Sequence, residues 1–128
     1  MANLLGNKFD TNAATMLLKI KQEHPMLTTL CGFKGDETSI DFYYKDLGPA
    51  DAMLIAPEIS VMASLMECCV RGNNLDKESA TMLAKAATEN RVMLFGIKHD
   101  QKEADFSNQH LGPVDSILIA SDMAASAS

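Results

Sequence analysis

A chain of 128 residues with 47% hydrophobic content is long enough for one domain and too apolar to be disordered. Its net charge of −6, with 11 Lys and Arg and no basic block, argues against a nucleic-acid partner, because phosphate binding needs clustered cations. No apolar run approaches the ~20 residues of a membrane helix, the opening MANLLGNKFD lacks a secretory signal, and three cysteines make no disulfide framework, so a soluble protein of a reducing intracellular compartment is expected.

In chain order, Asp10 or Thr11 can cap a first helix over 12–23, with Ala14, Leu17 and Leu18 on one face and Pro25 as its stop. Segment 27–38 carries LCGFKGDET and reads as a loop at one rim. Gly48, Pro49 and Asp51 then open a helix over 49–56: proline at the first helical position loses no needed N–H, and the aspartate faces the positive helix end. This helix would bury Ala52, Ile55 and Ala56, and Pro57 predicts a break or kink. In 65–83, apolar residues fall at Leu65, Cys68, Val70 and Leu75, with Asn73 two places before the last. A helix over 77–88 follows, with Ala80, Leu83, Ala84 and Ala87 on one face. The segment LFGIKHDQK over 94–102 is expected to share the conformation of the first rim loop. Gly112, Pro113 and Asp115 start a last helix over 113–124, which would bury Ile119, Ala120 and Met123.

These elements repeat. Leu30, Gly32, Lys34, Asp36, Asp41, Phe42, Leu47, Gly48, Pro49, Asp51, Leu54, Ile55 and Ala56 all recur 64 residues later. Gly6, Asn7, Asp10, Ala14, Thr15, Met16, Leu17 and Lys19 recur at an offset of 66. Self-similarity at such periods predicts stacked units, approximately 1–26, 27–64, 65–90 and 91–128, in a single domain covering 1–128.

The spacing of Leu65, Cys68, Val70, Asn73 and Leu75, followed by a helix, resembles the leucine-rich repeat family of the ribonuclease-inhibitor type. The resemblance implies an α/β solenoid of about four repeats, with a parallel sheet on the concave side and helices on the convex side. Strands near 2–5, 39–43, 67–71 and 103–107 would then lie side by side in chain order. Lys45 and Gln109 stand where the turn asparagine belongs, so those turns must satisfy their backbone in another way.

No catalytic, metal or cofactor constellation competes with this reading. Cys68 and Cys69 point to opposite faces of a strand, Cys31 has no C-x-x-C partner, and His24, His99 and His110 lie in different units without a nucleophile at motif spacing. The methionines, Met16, Met53, Met62, Met66, Met82 and Met93 among them, read as adaptable core. Tyr43 should stand exposed beside Ser39, Asp41, Glu67, Cys69, Arg71, Glu103, Asp105 and Ser107 on an acidic concave face.

The expectation is a non-catalytic protein-interaction or scaffold module that needs no cofactor or small-molecule substrate and does not insert into a membrane. Its partner surface would comprise Asp41, Tyr43, Glu67, Cys69, Arg71, Glu103 and Asp105. The alternative is a small structural subunit of a larger assembly, with its open ends sealed by neighbours.

Overall fold

The computed structural model describes residues 3–7, 9–96 and 111–126. Among them, α1 (Thr11–Glu23), β1 (Ser39–Asp41), α2 (Pro49–Ile59), β2 (Glu67–Cys69), α3 (Lys77–Asn90) and α4 (Pro113–Ser126) follow in chain order. No described helix is long and apolar enough to cross a membrane.

The helix starts carry the internal repeat into structure. Asp10 caps α1 by accepting the Ala13 N–H at 2.8 Å, and 66 residues later Asp76 caps α3 by accepting the Ser79 N–H at 2.7 Å. Ser79 Oγ in turn accepts the Asp76 N–H at 3.0 Å, which completes a reciprocal cap. The Ser79 hydrogen bonds hold the Asp76 carboxyl below its ordinary range. That contribution is therefore complete above the ordinary carboxylate range and is lost as the pH falls through the depressed value.

At the proline starts, Gly48 N–H donates to Asp51 at 2.9 Å and Gly112 N–H donates to Asp115 at 2.8 Å. The second Asp51 oxygen accepts the Gly6 N–H at 3.0 Å, tying the segment before α1 to the start of α2.

Each helix packs against the next in chain order, α1 on α2, α2 on α3 and α3 on α4, and one apolar cluster runs from Ala14 to Leu118. Leu54 and Leu83 are wholly buried in it, each stabilising the fold by about 1.5–3 kcal/mol relative to exposure.

This architecture corrects the expected solenoid. The described chain is mostly helical, with four helices and two three-residue strands, and not a leucine-rich-repeat solenoid with a four-stranded parallel sheet. β1 and β2 pair in parallel, with Ser39 opposite Glu67, Ile40 opposite Cys68 and Asp41 opposite Cys69. On its other edge β2 meets the segment at Met93: Cys68 N–H donates to Met93 O at 2.8 Å and Val70 N–H to Leu94 O at 2.9 Å. That is the edge where the strand over 103–107 was expected, and residues 103–107 themselves lie outside the described residues. Asn3, expected in a parallel first strand, instead bridges Cys31 in antiparallel sense.

The physical reason is that the two segments read as rim loops are core. Leu30, Cys31 and Phe33, like Leu94 and Phe95, are buried, and their backbone occupies the hydrogen-bonding edges that neighbouring strands would have used. Lys34 at the tip of the first segment is exposed; Lys98 lies outside the described residues.

Three smaller expectations also change. α2 continues through Pro57 to Ile59, with the exposed ring tolerated in the last turn. α4 buries Leu118, Ser121, Asp122 and Ala125, leaving Ile119 half-buried, Ala120 exposed and Met123 61% exposed. Met62 and Met93 are core and Met53 is half-buried, but Met16, Met66 and Met82 face solvent.

Candidate functional site

The parallel pairing of β1 and β2 gathers five of the seven expected partner-binding residues into one patch. The register sets Asp41 beside Cys69 and Ser39 beside Glu67 on strands about 4.8 Å apart. Beyond the strands, Phe42 N–H donates to Cys69 O at 2.8 Å and Tyr44 N–H to Arg71 O at 3.2 Å, so Tyr43 and Arg71 border the same patch. Glu103 and Asp105 lie outside the described residues.

The residues differ in how available they are. Asp41 is exposed, but one carboxylate oxygen accepts the Tyr43 N–H at 2.9 Å, so it shapes the turn as well as charging the surface. Glu67 and Cys69 are half-buried. Arg71 is half-buried with its guanidinium 4.5 Å above the ring centroid of buried Phe95, which makes it a brace between patch and core.

Tyr43 is 45% exposed, and its ring meets that of Tyr44 edge-on at 4.3 Å between centroids. Tyr44 is 69% exposed and has a positive φ of 51°. Strand alternation could not place it, because β1 ends at Asp41 and the chain is already turning at Tyr44. The signal available in the sequence was the Tyr-Tyr pair itself, followed by Lys45 and Asp46.

Gly72 leaves room for the Tyr44 ring. Its φ is +79°, and a Cβ there would stand 2.9 Å from Tyr44 Cδ1 and Cε1. We expect Gly72→Ala to lower stability by about 1–2 kcal/mol through left-handed strain alone, and to displace the Tyr44 ring as well. A loss in urea denaturation with a changed tyrosine fluorescence spectrum checks both parts.

The thiols follow the strand. Cys68 is fully buried, and burial pushes its pKa up to about 12. Burial first, with Asp41 and Glu67 adding to it, also raises Cys69, so neither thiol is an activated nucleophile at neutral pH. Cys31 is buried, and its thiol is pushed up by burial and then by its hydrogen bond to Glu58. In the folded protein a maleimide should label Cys69 alone, slowly and faster with rising pH, with Cys31 and Cys68 reacting on unfolding; mass spectrometry of the labelled peptides reads the result. No group of three or more His, Cys, Asp or Glu that could hold a metal ion occurs among the described residues.

Two groups that the sequence reading missed are the buried acids Glu58 and Asp122, 3% and 0% exposed, which lie 64 residues apart and do matching work. Glu58 accepts the Leu30 N–H at 3.1 Å and the Thr29 hydroxyl, which itself accepts the Cys31 and Phe33 N–H groups. Asp122 accepts the Leu94 N–H at 2.5 Å and the Phe95 N–H at 2.9 Å. They are structural anchors for the buried segments beneath and beside the strand patch. No protein-family model matches this chain, and no curated protein or solved structure matches it either.

Proposed function

We propose that this protein is a non-catalytic binding module for another protein, which it contacts through the patch of Asp41, Tyr43, Glu67, Cys69 and Arg71, extended by Tyr44. The observation that carries the reading is the exposed Tyr43–Tyr44 pair, with Tyr44 packed closely over Gly72, beside a parallel strand pair that bears Asp41 and Glu67. Aromatic side chains with few rotors anchor interfaces at low entropic cost. Asp41 and Glu67 stand diagonally across the strand pair, about 7–8 Å apart, which is close to the Debye length of about 8 Å at physiological salt, so their fields overlap in part. The partner that fits is a protein with a basic or mixed surface, in preference to a nucleic acid, a lipid surface or a small-molecule substrate.

The test is a photo-crosslinking amino acid placed at Tyr43 and, separately, at Lys85 on α3. Cross-links to a defined protein from position 43, absent from position 85, are expected. They should weaken with Tyr44→Ala and, with a steeper effect at low salt, with Asp41→Asn, which keeps an acceptor for the Tyr43 N–H. Equal capture from both positions, or capture insensitive to both substitutions, would remove this face as the site.

A further inference from the structure

The internal repeat has a consequence for the outer faces of α1 and α4. Sequence equivalence at offsets of 66 and 64 makes α1 the counterpart of α3, and α2 the counterpart of α4. Among the described residues α2 has two helical neighbours, α1 and α3, whereas α4 packs only on α3 and α1 only on α2. The contact of α3 with α4 is thus the counterpart of α1 with α2, while the α2–α3 contact has no counterpart within the described chain.

The residues that would make such a counterpart are in place. On α2, Ala52, Ile55 and Ile59 are 0%, 1% and 1% exposed. Their equivalents on α4 are Ser116, exposed, Ile119, half-buried, and Met123, 61% exposed, a stripe at helical spacing. On α3, Met82 and Ala86 are 40% and 9% exposed, and their equivalents on α1, Met16 and Ile20, are 65% and 43% exposed. Positions that α2 buries are thus open on their α4 equivalents, and Ala86, buried on α3, corresponds to Ile20, which is open on α1.

We propose that a second copy of this chain docks its α1 on the outer face of α4, head to tail, recreating between chains the α2–α3 packing found within one. Such an interface is heterologous, so each added copy presents a fresh face and assembly continues beyond two chains. The surface involved is separate from the strand patch.

The experiment uses sedimentation velocity on the full chain and on two variants at exposed positions, Met16→Glu and Met123→Glu, with melting curves matched to the parent to establish folding. The weight-average mass of the parent should rise with concentration past twice the monomer, and each variant alone should stay monomeric. An equimolar mixture of the two variants should form a two-chain species and nothing larger, because one supplies an intact α4 face and the other an intact α1 face. A parent that remains monomeric up to its solubility limit would overturn the proposal, with these faces left to another protein or a further repeat. A closed dimer insensitive to Met16→Glu, or a variant mixture that stays monomeric, would overturn it equally.

Discussion

Replacing Asp122 with alanine is expected to cost about 3–5 kcal/mol. Asp122 is 0% exposed, and its two oxygens take the N–H groups of Leu94 and Phe95, which are themselves buried. Hydrogen bonds to a charged group contribute about 1.5–3 kcal/mol each, and a buried donor left without its acceptor adds its own desolvation cost. Asp122→Asn retains one carbonyl acceptor for one of the two donors, so its loss should fall between that of the alanine variant and the parent. Urea denaturation with an unchanged m value is the measurement. An alanine variant within 1 kcal/mol of the parent would mean that water replaces the carboxylate and that the segment is not anchored as described.

The counterpart acid shows how the same problem is solved twice with different side chains. Glu58 is one methylene longer and works through the Thr29 hydroxyl, whereas at the position equivalent to Thr29 the second unit has Met93, and the shorter Asp122 reaches two backbone donors directly. A Met93→Thr, Asp122→Glu double variant should therefore show favourable coupling relative to the two single changes.

The sequence was readable wherever the chemistry was local. The Asp10 and Asp76 caps and the Gly-Pro-x-Asp starts need only residues within one turn of each other, and the structure places all four helices from them. It was unreadable where a side chain acts at a distance of a whole unit. Glu58 and Asp122 sit two residues past the last identity of the repeat and match only as acids. The segments they anchor carry Gly, Lys and Asp and so read as exposed loops, although Leu30 and Leu94 are 2% and 0% exposed. Periodicity gave the correct buried side of α2, but transferring the same stripe to α4 failed because burial needs a covering helix, and α3 lies only on the other side of α4. In the candidate site, the register sets Asp41 opposite Cys69 and Ser39 opposite Glu67, whereas strand parity gave no sign that the Arg71 guanidinium would lie over the Phe95 ring.

Lys45, which cannot accept a backbone N–H, stands at a turn that is satisfied from the next unit, and this sets the second expected large effect. Asn73 accepts the Lys45 N–H at 3.0 Å and the Leu47 N–H at 2.9 Å, and its amide donates to Phe42 O at 2.7 Å and Val70 O at 2.9 Å. All the hydrogen-bonding capacity of one half-buried side chain thus joins the turn after β1 to the turn after β2. Asn73→Ala removes four bonds; because the site is partly wet, water recovers some of them, and the expected loss is about 2–4 kcal/mol. Asn73→Asp keeps the acceptor and loses both donors, leaving a carboxylate against two carbonyl oxygens, so it should rescue little. The decisive measurement is amide hydrogen exchange. Lys45 and Leu47 should lose protection in the alanine variant, while Ser79 and Ala80, fixed by the Asp76 cap, keep theirs up to the limit set by global unfolding. Loss of protection spread evenly over both turns and α3 would show instead that Asn73 supports the fold as a whole and does not specifically join its two turns.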